Sequence, residues 1–308
     1  MADTMTDGRM RIGVVLPIAE NDRGTTQSYA SIREVAVTAE AAGFDSLWVF
    51  DHLLFRSGGK TSGIHECWTI LAAIADATER VELGTLVMCT GFRNAALLAK
   101  MAGTLDEVSK GRLILGIGAG WHDPEFEAFG YPTDHRIGRF EEALQVLLPL
   151  IRTGTADVEG QWAIVRNAVM LPAARPDIPI LIAARGPRML RLTARHADMS
   201  NLAWFASADD PLLAQRTAAL DEACQADGRD PATLVRTVGV YIRLEGATTA
   251  SPVRGQEGSP PITEDPEAVL GGFAEAGFAH AVVWLDPIDE PSLARLGAAV
   301  AGMRTAGG

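Results

Sequence analysis

Short apolar runs alternate with segments of helical period along almost the whole chain, and this alternation restricts the fold more than any other feature. The runs are RIGVVLPI, DSLWVF, VELGTLVM, RLILGIG, IPILIA, ADMSNLAW, LVRTVGVYIRL and HAVVWLD. RIGVVLPI and DSLWVF in particular read as short strands buried on both faces, and the second half of the chain continues the pattern less cleanly. After the first comes YASIREVAVTAEAAGF, with Ile32, Val35, Ala36 and Ala39 at helical spacing and Gly43 as its stop. ECWTILAAIADATER, NAALLAKMAGTLDEVSKG, a helix from about Asp134 to Arg152, PRMLRLTARHA, PLLAQRTAALDEACQADG, DPEAVLGGFAEAGF and EPSLARLGAAVAGM follow the others. Strands joined by helices rather than hairpins run parallel. Eight such units of about 38 residues suit an α/β fold of the closed (β/α)8 TIM barrel type; a doubly wound open sheet in two lobes is the rival.

On that plan residues 1–9 are a flexible leader and residues 10–308 a single barrel domain with insertions. GTADVEGQWAIVRNAVML, near residues 154–172, reads as an inserted hairpin or loop. Residues 247–265, rich in Pro, Gly, Ser and Thr, form a long loop after the seventh strand, on the face where barrels carry their sites and long enough to act as a lid.

Charge and cysteine usage narrow the function. With 27 Lys plus Arg against 39 Asp plus Glu the net charge is −12, which repels a phosphate backbone, so nucleic acid is not an expected partner. Neither a membrane span nor a signal-like start is visible, and the expected location is the cytoplasm. Cys67, Cys89 and Cys224 are scattered, odd in number and without C-x-x-C spacing, which argues against disulfides and thiolate metal sites. There is no G-x-S-x-G elbow, no H-E-x-x-H and no His-x-His on the first strand, and no metal is expected.

LILGIGAGWHDPEF, residues 113–126, carries Gly116, Gly118 and Gly120. The dinucleotide pattern G-x-G-x-x-G fails there, because Trp121 occupies its sixth position. Two readings remain: a bulge that ends the fourth strand, or bare backbone that lets a flat ligand approach. SGGKTSG imitates a P-loop tail but has Leu54 where the first glycine belongs, and reads as a mobile loop after the second strand. Asp51-His52 ends the second strand. His52 has the titration range to move a proton beside a redox ring; the alternative is a structural pair capping the loop, and both side chains can face a ligand only if the strand ends by Phe50. Arg185 and Arg188 stand at the start of a helix, where free N–H groups favour an anion, while Arg191 and Arg195 suit pairing with neighbouring acids.

AGFDSLWVFDHL (42–53), ERVELGTLV (79–87), FRNAALLAKMAGTLDEVSKGRLILGIGAGWHDPEF (92–126) and IPILIAARGPRMLRLTARHAD (178–198) resemble, in order, the luciferase-like monooxygenases, and among them the oxidoreductases that use the deazaflavin coenzyme F420. The resemblance implies a bacterial-luciferase-like barrel that binds its cofactor at the C-terminal ends of the strands and places the three glycines beside its ring. His52 is then the proton relay and Asp51 a cofactor neighbour. Met88, Cys89 and Thr90 fall where the family often has a non-proline cis peptide behind the ring. Gly118, Ala119, Gly120 and Trp121 are the fourth-strand contacts, and Trp48 lies near the ring with Trp121. Ala183, Ala184, Arg185, Gly186 and Arg188 match the phosphate-holding segment, although that segment is often a glycine run and here carries side chains. RNAA (93–96) also lacks the family's usual proline after the asparagine. The implied activity is hydride transfer between coenzyme F420 and a small-molecule substrate, in a homodimer. A reduced-FMN monooxygenase is the alternative, and a barrel that binds without turnover a third reading.

Overall fold

A computed structural model describes residues 9–21, 24–247 and 260–306. Eight parallel strands, β1 (Arg11–Val15), β2 (Ser46–Val49), β3 (Glu82–Thr85), β4 (Leu113–Gly118), β5 (Ile180–Ala183), β6 (Met199–Phe205), β7 (Val235–Arg243) and β8 (His280–Asp286), alternate with helices in the order of a (β/α)8 barrel. The continuous apolar runs have their reason in burial, since every residue of β2 and of β4 is buried.

The chain forms two compact units, residues 1–48 with 184–308 and residues 49–183. Within the first, β1 lies between β8 (Gly13 opposite Val282) and β2 (Val14 opposite Leu47), and β7 lies between β6 and β8 (Tyr241 opposite Trp284). Within the second, β4 lies between β3 (Leu83 opposite Leu113) and β5 (Ile180 opposite Leu115), and Met88–Cys89 adds a short pairing to Ile117 and Gly118.

The helix Ala95–Val108 shows how local chemistry sets the element ends. Asn94 caps it, its Oδ1 accepting from the amides of Ala96 and Leu97, and Lys110 and Gly111, both at positive φ, turn the chain out of it. SGGKTSG, expected as a mobile loop, is instead one side of a hairpin in which Leu54–Ser57 pairs antiparallel with Lys60–Gly63. Gly58 and Gly59 supply the two positive φ angles (57° and 78°) that a tight two-residue hairpin turn needs. A second hairpin joins Thr155–Glu159 to Ile164–Val169. Much of the 247–265 loop and nearly all of the leader lie outside the described residues. The non-proline cis bond is at Leu86–Val87, just before the Met88–Thr90 segment. Among the described residues no helix is long and apolar enough to cross a membrane.

Candidate active site

The end of β2 sorts two adjacent side chains to different tasks. The strand stops at Val49, so Asp51 and His52 are released from the alternation that would point them to opposite faces.

Asp51 turns inward and both of its oxygens are used by protein. Oδ2 accepts from the Cys89 amide (2.9 Å) and from Arg93 Nη1, and Oδ1 accepts from Arg93 Nη2 (3.2 Å) and Cys67 Sγ (3.4 Å). The same guanidinium donates to Glu66 Oε1 at 2.6 Å, and Glu66 in turn caps the helix Cys67–Ala77 through the amides of Trp68 and Thr69. Burial works to raise the Glu66 carboxyl, but the bonds from Thr69, Trp68 and Arg93 outweigh it and leave it below its ordinary value. Asp51, Glu66 and Cys67 stand close enough to share a metal ion, yet Arg93 already holds both carboxylates.

His52 is held from one side. Its Nδ1 lies 2.8 Å from Glu125 Oε1, while Glu125 Oε2 accepts from the Leu53 amide, also at 2.8 Å. Glu125 is buried to 1% exposure. With a carboxylate on Nδ1, that nitrogen is the donor, and Nε2 makes no hydrogen bond to any described residue. Around the imidazole stand Phe55 at 4.5 Å and Trp121 at 5.3 Å, edge to face, and Trp121 is 41% exposed. His122 completes the set by accepting from the Arg56 amide at 3.0 Å.

The three glycines have a packing reason. A Cβ on Gly116 would lie 1.8 Å from the Thr85 carbonyl oxygen, and one on Gly118 2.7 Å from Val87 Cγ2. Gly120, at φ +77°, faces Phe126 and Cys89 at 2.6 and 2.7 Å. The chain after β3 therefore lies directly on bare β4 backbone, with Met88 and Cys89 buried beneath and the Thr90 hydroxyl donating to the Gly118 carbonyl (3.3 Å). Burial, and then the charge of Asp51, push the Cys89 thiol up to about 12, and the same causes hold the Cys67 thiol well above its ordinary value, so neither is a nucleophile at neutral pH. Ala119 is half-buried beside them.

Ala183, the last residue of β5, is half-buried in this unit, whereas Ala184 to Arg188 belong to the other. There Gly186 is the N-cap of the helix Pro187–His196, with no side chain bonded to the cap, Ala184 is buried, and Arg185 and Arg188 are exposed. Arg195 pairs with Asp227 at 2.6 Å. Trp48, expected near a cofactor ring, is fully buried in the same unit and spends its Nε1 on Ser46 Oγ (2.7 Å).

Thus His52 and Trp121 come together, Asp51 meets Cys89, and two partners absent from the sequence expectations, Glu125 and Arg93, organise the two groups. A signal for Glu125 was present: Asp123, Pro124 and Glu125 are the residue types of a helix's first turn.

The profile of the family described as luciferase-like monooxygenase matches residues 10–247. The chain belongs to the luciferase-like monooxygenase family. Over 267 residues it is 35% identical to a phthiodiolone/phenolphthiodiolone dimycocerosates ketoreductase of Mycobacterium sp. (strain JLS), covering 79% of this chain and 67% of the relative. It is 32% identical over 171 residues to an F420-dependent glucose-6-phosphate dehydrogenase of Amycolatopsis mediterranei (strain U-32), covering 54% of this chain and 50% of the relative. It is also 30% identical over 250 residues to a pyrimidine monooxygenase RutA of Methylorubrum extorquens, covering 76% of this chain and 65% of the relative. The match thus spans half to two thirds of these relatives' lengths. Among solved structures, an F420-dependent secondary alcohol dehydrogenase superposes with a TM-score of 0.78 at 19% identity over 96% of this chain and 99% of that one. Riboflavin lyase superposes with a TM-score of 0.77 at 14% identity, over 97% and 92%. These likenesses show the luciferase-like (β/α)8 fold.

Proposed function

We propose that this luciferase-like oxidoreductase transfers hydride between the deazaflavin coenzyme F420 and a small organic substrate. The observation that carries the reading is the His52–Glu125 pair: a buried carboxylate fixes Nδ1 and leaves Nε2 unbonded beside the exposed indole of Trp121. That is the arrangement a proton relay next to a flat ring requires. The names of the relatives support a cofactor of deazaflavin or flavin type, and the glucose-6-phosphate dehydrogenase and the secondary alcohol dehydrogenase are both F420-dependent.

The residues fit such a group. Trp121 offers an aromatic face beside His52, and, taken by itself in the other unit, Arg185 is an exposed guanidinium with no carboxylate partner among the described residues, of the type that takes a phosphate. When bound, the deazaflavin supplies a ring carbon that accepts or releases hydride. His52 takes or returns the accompanying proton at Nε2. Glu125 holds the imidazole in the tautomer that leaves Nε2 available. Asp51, through Arg93 and the Cys89 amide, fixes the Met88–Thr90 segment, which with Gly118, Ala119 and Gly120 makes a rigid backbone floor. Within the other unit, the amides of Ala184 to Gly186 with Arg185 and Arg188 are of the type that holds an anion such as a phosphate.

A second reading, a reduced-FMN-dependent monooxygenase, is favoured by the likeness to RutA, which runs over 250 residues against 171 for the F420-dependent dehydrogenase. Tryptophan fluorescence separates the two, with Trp121→Phe reporting which indole responds. Saturable quenching by oxidised F420 and none by FMN supports hydride transfer. Preference for reduced FMN overturns it in favour of oxygen chemistry.

A further inference from the structure

A second set of side chains, all in the unit of residues 1–48 and 184–308, takes no part in that chemistry. Trp204 is in register with Gly239, and Tyr241 with Trp284, so these four positions share one face of the β6–β7–β8 sheet. Gly239 is glycine because the Trp204 indole lies across β7: a Cβ there would sit 2.5 Å from the ring. Trp204 and Tyr241 are nearly parallel, 32° apart with centroids at 5.5 Å, and Trp284 meets Trp204 edge-on at 5.9 Å. Both indoles are half-buried, so each keeps a surface that a ring could cover.

Within this aromatic wall stands an unsatisfied donor. Tyr241 is 2% exposed, and its hydroxyl has no hydrogen-bond partner among the described residues. Buried phenols normally find one, because an unpaired O–H in a dry interior is costly. Burial pushes this phenol well up, and the charge of Arg185 pulls the other way. Arg216 is held down by burial and then by the like charge of Arg185; it donates to the Leu202 carbonyl at 3.0 Å and lies over the Phe205 ring. Two guanidiniums thus act on each other, opposed by the charge of Asp210, in a protein of net charge −12. The local field favours a negative atom where the global field does not.

We propose that the Trp204–Tyr241–Trp284 wall is a binding site for a planar conjugated ligand that presents an anionic oxygen, carboxylate or phenolate, to the Tyr241 hydroxyl. The indoles supply the apolar faces, Tyr241 the directional bond, and Arg185 the preference for charge. The wall and its hydroxyl stand on residues other than those of the His52 relay and share only the Arg185 charge with the proposed phosphate segment, so the site survives failure of the hydride-transfer reading.

The test uses the full chain, 2-naphthoate as probe and its neutral methyl ester as control, with binding followed by calorimetry. The wild type should bind the acid saturably and at least tenfold more tightly than the ester. Tyr241→Phe should weaken the acid about tenfold, the factor expected for one hydrogen bond to a charged acceptor, and leave the ester unchanged. The same variant should melt no lower than wild type, because the hydroxyl it removes is unpaired. His52→Ala should bind the probe as wild type does. With the site in place, displacement of naphthoate by F420 would assign the anionic oxygen to the cofactor, and simultaneous binding would assign it to a substrate. Absence of saturable binding, equal affinity for acid and ester, or an unchanged affinity in Tyr241→Phe would overturn the proposal. So would a lower melting temperature in that variant, which would give the hydroxyl a structural partner.

Discussion

Glu125 grips His52 Nδ1 with one carboxylate oxygen and the backbone amide of Leu53 with the other, both at 2.8 Å. Ring and backbone are therefore held by a single buried side chain, which orients Nε2. Removing the imidazole with His52→Ala should lower turnover at saturating cofactor by about 10²–10⁴-fold, the usual worth of a positioned acid–base group, with little change in cofactor affinity. Glu125→Gln keeps the shape and can still accept from Nδ1, so its loss should be smaller and should show as a shifted pH–rate profile. Unchanged turnover in His52→Ala would remove His52 from the mechanism.

Arg93 is the sole cation bonded to Asp51 among the described residues, and the carboxylate is 1% exposed while the guanidinium is 12% exposed. Burial pulls the guanidinium's proton affinity down, but the charge of Asp51 and its hydrogen bonds more than restore it. Arg93→Met would strand a buried carboxylate and uncap the bridge to Glu66. A destabilisation of about 3–5 kcal/mol is expected, the range for breaking one side of a buried pair. Urea unfolding measures it, and a loss below about 1 kcal/mol would mean that the pair behaves as a surface bridge.

Burial on both faces leaves a mark in sequence, and contact across tens of residues does not. The β strands could be read because β2 and β4 bury every residue and so write continuous apolar runs. The hairpin at 54–63 could not, since Leu54–Ser57 and Lys60–Gly63 are largely exposed and only Gly58-Gly59 betrays the turn. At the site, His52 and Trp121 were legible through motif position. Glu125 lies 73 positions from His52 and Arg93 42 from Asp51, so which acid meets which base depends on how strand ends are brought together. The glycines of β4 were legible as bare backbone, but what covers that backbone, Thr85 to Cys89 and Phe126, is a matter of tertiary packing.

Those glycines can be told apart by substitution. Gly118→Ala puts a methyl 2.7 Å from Val87 Cγ2, a side chain that can give a little, whereas Gly120→Ala adds a strained φ of +77° to contacts with Phe126 and Cys89. Gly118→Ala should cost about 1–3 kcal/mol, as overpacking does, and Gly120→Ala more. Thermal melts of the two variants give the order, and the reverse order would show that Phe126 yields more readily than Val87.

His280 gives the fold one separable pH dependence. It is fully buried, with Nε2 2.7 Å from the same Ser46 Oγ that accepts from Trp48, and burial followed by the charge of Arg11 lowers its pKa to about 3. In the unfolded chain a histidine takes its proton near about pH 6.5. Between these values the unfolded state binds the extra proton and the folded state does not, so stability present above about pH 6.5 is lost as the pH falls toward 3. The slope for one such group approaches about 1.4 kcal/mol per pH unit. Glu66, whose folded value is also lowered, adds its own loss at the acid end, so a variant is needed to isolate the histidine. His280→Gln removes the titration while keeping a polar partner for Ser46. Urea unfolding at about pH 7.5 and about pH 4.5 should show wild type losing about 2–3 kcal/mol more than the variant over that interval. Parallel losses in the two proteins would mean that the imidazole takes up its proton in the folded state as well over that interval.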